Sequence, residues 1–290
     1  MLKHKADIKT LVYLTITTAM LFFQWQYGFH IVSFIFSLYL AITVAIIAHN
    51  HNHVPMWESK AMNHLSDYWI TLFYGFPAFG WIPTHNRNHH KFNNKEGDYT
   101  ITYRVSEKNN IFTLLSYPGI SSYYQQSPIM QHLRHLWIHQ RFNFFMAIGQ
   151  YLALGILLAV TLYLDWKKAV LFVIIPHQVA LFSVLIFNYV QHVHADEESD
   201  YNHSRNFVSK FTGFMTFNNG LHTVHHLRAN THWSELREAH DKVAHFIEPH
   251  LNQQTIIGYL VKTYVIGPFV SSFRTKSMRL ARKQGEQTLA

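Results

Sequence analysis

The residues in this chain best suited to chemistry are histidines, and they come in groups. His222-Thr223-Val224-His225-His226 sets imidazoles at i, i+3 and i+4, positions that share one face of a helix and converge. His85-Asn86-Arg87-Asn88-His89-His90 repeats the idea, His49 and His53 lie four apart, and Asn188 and His192 lie four apart again. Neutral imidazole is a common metal ligand, and groups at helical spacing imply one shared metal site. Neighbouring side chains on a helix diverge by about 100°. The doublets His89-His90 and His225-His226 therefore suggest two ions, although divergence alone does not demand a second.

The other histidines read differently. His51 stands about 200° round the helix from His49 and points elsewhere, so it is expected behind the ligands. Asn188 either caps the end of a helix or reaches the site, directly or through a water. His194, His203 and His232 have no partner at helical spacing. His132, His135 and His139 repeat along a helix, but they stand among Arg134, Trp137 and Arg141 just before an apolar run, where basic and aromatic residues line an interface. His177, beside Pro176 inside an apolar run, calls for a hydrogen-bond partner rather than a metal.

The absence of cysteine excludes disulfides and thiolate sites. Eight or nine imidazoles exceed the four ligands of a structural zinc site, and calcium or magnesium would take oxygens. Imidazole suits iron, copper, nickel or zinc. Soluble di-iron bundles use Glu and Glu-x-x-His ligands, and no such acidic pairing occurs here.

The elements that must carry these side chains are apolar. Hydrophobic residues make up 49% of the 290, aromatics 16% and charged residues 14%, against about 25% charged in soluble domains. The mean hydropathy of −0.03 leaves room for a large polar part. The net charge of +8 would suit nucleic acid, but no nucleic-acid module occurs, and basic residues in a membrane protein first reflect topology or anionic lipid.

Four apolar runs approach the roughly 20 residues needed to cross a bilayer: about 11–29, 31–48, 144–164 and 169–190. The first is too long for a signal peptide and lacks a cleavage site. A break at Gly28–His30 and the link Asp165-Trp166-Lys167-Lys168 make two hairpins. Two shorter pieces, Tyr68 to Ile82 and Ile111 to Tyr124, are broken by Gly and Pro and rich in aromatics, as at headgroup level. Thr255 to Phe273 reads as an interfacial amphipathic stretch, and the basic tail from Arg274 as loosely ordered.

Two hairpins return all the histidine groups to one side. That side also holds every Lys and Arg of the 24 except Lys167 and Lys168, which makes it cytoplasmic. The expectation is an all-α integral membrane protein forming one domain over 1–290. Its four transmembrane helices, in two hairpins, would carry a helical cytoplasmic cap, 49–143 and 191–290, with a histidine-rich dinuclear metal site.

In these groups the chain resembles the membrane fatty acid desaturase and hydroxylase superfamily. That family carries three histidine boxes, which here read His49-x3-His53, His85-x3-His89-His90 and His222-x2-His225-His226. Order, spacing and placement after the second and fourth apolar runs agree, and Lys91-Phe92 after the second box is also familiar. Asn188-x3-His192 looks like an element of the acyl desaturases. The resemblance covers about Leu11 to His250.

It implies two iron ions held by His49, His53, His85, His89, His90, His192, His222, His225 and His226, with Asn188 close by and O2 as co-substrate. Asn218, Asn219 and Thr223 are candidates to stand behind the ligands. The implied reaction is desaturation of a long acyl chain linked to coenzyme A, a carrier protein or a lipid. No His-Pro-Gly-Gly stretch of a fused cytochrome b5 domain is present, so electrons would come from a separate ferredoxin or cytochrome b5. A bacterial inner membrane is the expected location. Hydroxylation, oxidative decarboxylation and carotenoid ketolation use nearly the same boxes. A non-catalytic metal-binding or transport protein is the alternative of another class, but a transporter places its ion site near the bilayer midplane, not beyond the ends of the spans.

Overall fold

The computed structural model describes residues 1–289, and helix dominates it. In chain order the α-helices are α1 (Asp7–Tyr27), α2 (Ile31–His53), α3 (Lys60–Tyr74), α4 (His90–Phe92), α5 (Ile111–His139), α6 (Arg141–Ala169), α7 (Ile175–His192), α8 (Lys210–Met215), α9 (His222–Leu227), α10 (Leu236–Val243), α11 (Ile256–Leu260) and α12 (Met278–Leu289). Two-residue strands β1 (Asn206–Phe207) and β2 (Asn252–Gln253) pair in parallel, Asn206 opposite Asn252. The chain forms two compact units that interleave in sequence. The first is Met1–Asn86 with Gln126–Val184; the second is Arg87–Gln125 with everything from Leu185 onward.

In the first unit, Gly28 at φ 82° ends α1 in a conformation that side chains resist, so the chain turns into α2 within three residues. α2 continues past Ala48 to His53 and so carries the first box on helix. Ser59 caps α3 by accepting from the Met62 N–H, and α3 ends at Gly75. Gly75 has φ +81°, and a Cβ there would stand 2.4 Å from the Cβ of His177, so only glycine fits. The buried Gln150 amide oxygen accepts from the Thr71 hydroxyl at 3.2 Å and the Phe79 N–H at 3.1 Å. Beside it, Phe79, Ile129, Leu133, Leu136 and Ala147 form an apolar core.

Two continuous helical stretches are long and apolar enough to cross a bilayer: α2, and the 52 residues from Arg141 to His192. The longer one is broken at Asp165, whose φ of −162° and ψ of 98° are not helical. The Asp165 carboxylate accepts from the N–H groups of Lys167 and Lys168 at 3.0 and 3.1 Å, capping the segment that follows. The link expected over four residues is a single capping residue. α1 has the length, but Thr15, Thr17, Thr18, Gln24 and Gln26 keep it less apolar.

Two expectations change. α5 does not stop near Tyr124: helix continues through Pro118-Gly119 and Pro128 to His139, so the breakers there do not end it. The tail is also ordered. Arg279 bonds Glu197 at 2.9 Å and pairs with Glu107, while Arg282 bonds Asp196 at 2.8 Å and Glu197 at 3.0 Å. The acidic run after α7 supplies the counter-charge for the basic tail.

The second unit has its own core, with Leu114, Tyr117, Ile186, Tyr189, Val190, Phe207, Tyr259 and Tyr264 buried together. Past Thr255 the chain buries Tyr259 and Tyr264 on one side and exposes Ile257, Val261, Val265 and Phe269, four residues apart, on the other.

Candidate metal centre

Four imidazoles of the second unit meet tip to tip. His89 ends the π-helical segment Ile82–His89, His192 is the last residue of α7, and His222 and His226 lie one turn apart on α9. The Nε2 atoms of His89 and His192 are 3.1 Å apart, those of His192 and His222 2.9 Å, and those of His222 and His226 3.2 Å. All four ligand nitrogens lie within 4.8 Å of one another.

The groups behind the rings assign the protons. Nδ1 of His192 faces the carbonyl oxygen of His203 at 3.2 Å; a carbonyl only accepts, so that nitrogen carries the proton. Nδ1 of His89 donates to Oδ2 of Asp98 at 2.7 Å. Both rings therefore turn an Nε2 lone pair inward, 3.1 Å from each other. Lone pairs converging at that distance repel unless a cation lies among them. This is a donor set that could hold a metal ion, with a carboxylate and a carbonyl behind the rings of the kind that orient metal-bound histidines. Burial, and then the neighbouring imidazoles, hold His226 well below the ordinary histidine range, in the neutral form that ligates.

Asp98 is 1% exposed. Burial alone would raise its pKa, but the His89 imidazole and the bonds from Thr100 outweigh that and hold it below the usual carboxylate range.

One short segment positions two of the ligand helices. The His203 carbonyl fixes His192. Arg205, 1% exposed, donates to the carbonyls of Val190 and, at 3.2 Å, Val193, tying down the end of α7 where the helix dipole is negative. Asn206 accepts from the Thr223 N–H at 2.9 Å and donates to its hydroxyl at 3.0 Å, capping α9 from a distance.

The doublets split. His90 leaves the four-histidine cluster to meet His225, Nε2 to Nε2 at 3.0 Å. The third box therefore does not converge on one point: the i, i+4 pair His222 and His226 shares a cluster, and the i+3 residue His225 serves another partner. The second box also departs from α-helical expectation. Its π-type winding pairs i with i+5 and resets the angles among His85, His89 and His90.

In the first unit, His49 and His85 meet at 2.9 Å through Nε2, and the ring of His53 lies 4.8 Å from that of His49 and 5.1 Å from that of His85. The amide oxygen of Asn50 accepts from Nδ1 of His49 at 3.1 Å, which again leaves Nε2 as a lone pair. Trp81 sets its ring edge-on to both, at 5.2 and 5.1 Å.

Other candidates are placed elsewhere. The amide nitrogen of Asn188 donates to the Tyr117 hydroxyl at 2.6 Å, and Tyr117 donates to the Thr100 carbonyl at 2.7 Å. Asn218, left-handed at φ 55°, donates to the Trp233 carbonyl at 3.0 Å in the turn before α9. The Asn219 carbonyl accepts from Gln191, and Thr223 is held by Asn206. His51 turns away from His49, with Nδ1 accepting from the Met56 N–H at 3.2 Å. His194 lies between the Glu107 carbonyl and the Thr275 hydroxyl, each at 2.8 Å. His177 donates to the Leu72 carbonyl at 2.9 Å, and His132 stacks on Phe79.

Asp98, Arg205 and Asn206 went unremarked in the sequence because none has helical spacing to a box. The one available signal was the pair of carboxylates, Glu96 and Asp98, flanking Gly97 just after the second box.

A fatty acid desaturase family model matches residues 23–256, which contain all three boxes and His192, and the chain belongs to that family. It is accordingly an oxidoreductase-type, membrane-associated protein with histidine clusters suited to metal. No curated protein and no solved structure matches it.

Proposed function

We propose that this chain is an oxygen-dependent di-iron fatty acyl desaturase that places a double bond in a long acyl chain. The observation that carries the reading is the inward convergence of His89, His192, His222 and His226, with His89 and His192 forced into the ligating tautomer, in a member of the fatty acid desaturase family. On this reading His49, His53, His85, His89, His90, His192, His222, His225 and His226 supply the ligands of two irons, with His89, His192, His222 and His226 sharing one of them. The whole chain acts as one desaturase domain, crossing the bilayer four times with the metal centre on the cytoplasmic face.

Iron held there would supply, with O2, two electrons and two protons, the oxidising power to take two hydrogens from adjacent methylenes, for one double bond and two waters. Burial and the neighbouring imidazoles favour the neutral form of His192 and His226, and the groups behind His89, His192 and His49 fix their ring tautomers. His89, His192, His222 and His225 are buried, which keeps bulk water off their donor atoms. Electrons come from a separate ferredoxin or cytochrome b5.

The test is a fatty acid profile, with double bonds located by mass spectrometry, in a host supplying a compatible donor. A new unsaturated acid that disappears in His85→Ala is expected. A hydroxylated acid, a terminal alkene or an altered carotenoid would replace desaturation by a related oxidation. Well-folded protein that takes up no iron would sink the reading altogether.

A further inference from the structure

Asn93, Asn94 and Gly97 all have positive φ, at 47°, 65° and 97°, and the loop they shape closes around a single carboxylate. Oδ2 of Asp98 accepts from the Asn94 N–H at 2.8 Å and from Nδ1 of His89 at 2.7 Å. Oδ1 accepts from the N–H and the hydroxyl of Thr100, both at 2.7 Å. The loop is itself pinned to the second box. Asn88, next to His89, donates to the Gly97 carbonyl at 2.9 Å and accepts from the Tyr99 N–H at 2.8 Å. Tyr117 and Asn188 extend the network to α5 and α7 through the Thr100 carbonyl.

We infer that Asp98 is the positioning residue of the four-histidine cluster: its carboxylate fixes the ring and tautomer of His89 and thereby sets the metal affinity of that site. The inference rests on the proposed metal-binding reading. Both carboxylate oxygens face donors, so charge and not only shape is matched. An amide in this place has one accepting oxygen and one NH2. If its oxygen stays with Thr100, the NH2 faces Nδ1 of His89. The imidazole must then accept at Nδ1, carry its proton on Nε2 and lose its inward lone pair. If the amide turns over, the NH2 meets the two Thr100 donors instead. A loop-stabilising role alone would predict lower stability without a change confined to one metal.

The test is cobalt(II) binding by the full-length chain in detergent, by chelator competition and by the visible ligand-field spectrum, neither of which needs turnover. Asp98→Asn is expected to weaken one of the two ions about 10–100-fold and to alter its band while leaving the other ion as in the wild type. Asp98→Glu, which keeps the charge, should recover part of the loss. Should Asp98→Asn fail to fold, Thr100→Val removes the hydroxyl that bonds Asp98 and lies 2.9 Å from Nδ1 of His89, and it is expected to weaken the same ion by a smaller factor. Wild-type affinity and spectrum in either folded variant overturn the inference. A wild-type chain that binds both cobalt ions yet forms no unsaturated acid counts against the desaturase reading, not against the role of Asp98.

Discussion

Arg205→Met removes a buried cation that pairs with backbone carbonyls and, among the described residues, with no carboxylate. Its guanidinium donates to the carbonyls of Val190 and Val193 and lies 4.5 Å over the ring of Tyr259. Losing it strands two buried carbonyls, each costing about 1–3 kcal/mol, and a desolvated cation–π contact of about 2 kcal/mol. Against this stands the recovered desolvation of a buried charge, a few kcal/mol, which offsets about half of that loss. The expected net loss is about 2–4 kcal/mol, or a fall in Tm of roughly 5–15 °C. Thermal unfolding in detergent followed by circular dichroism measures it, and hydrogen exchange places it at the end of α7. Arg205→Lys should recover part of the loss, because both carbonyls are reached from the one nitrogen Nη1 and an ammonium also carries donors enough for two acceptors. An unchanged Tm, with protection at Val190–Val193 as in the wild type, would refute the claim that Arg205 anchors the helix carrying His192.

Gly75→Ala combines a left-handed backbone with a 2.4 Å overlap on His177 and should cost about 2–5 kcal/mol by thermal unfolding. Gly155→Ala, where a Cβ meets nothing within 4 Å, is the control and should be neutral or slightly stabilising. His51→Ala should leave iron content nearly intact while His53→Ala lowers it by half or more, read by metal analysis; equal losses would mean that His51 also ligates. Metal retention should hold at neutral pH and fail on acidification. Because burial and neighbouring imidazoles lower the folded-state pKa of His226, its protonation, and release of the metal, begin below the ordinary histidine range near pH 6.5. A chelator-release profile across pH 4–8 that breaks above 6.5 would contradict this.

The helices and boxes were legible because apolar runs and histidine spacing are local signals. α2 carries His49 and His53 on one face as their spacing implies, and the last apolar run delivers His192. The splitting of the doublets was legible as well, since neighbouring side chains on a helix diverge by about 100°. What did not follow was the π-type winding at Ile82–His89 and which rings each histidine meets, because those partners lie far along the chain. Asp98 and the segment His203–Asn206 were hidden for the same reason: their partners are set by loops, and loop geometry follows no sequence period.

The interleaving of the two units bears on how the protein is made. His89 acquires Asp98, nine residues on, almost as soon as it is synthesised, but its partner rings are His192, His222 and His226. At about 5–20 residues per second, the ribosome needs roughly 7–27 s to go from His89 to His226. For most of that interval only one of the four rings, His89, exists, with its carboxylate already nearby in the chain. The cluster is completed only after the apolar run ending at His192 has been synthesised, so its loading must be a late event, drawing on whatever metal the cell offers to a chain that is otherwise largely made.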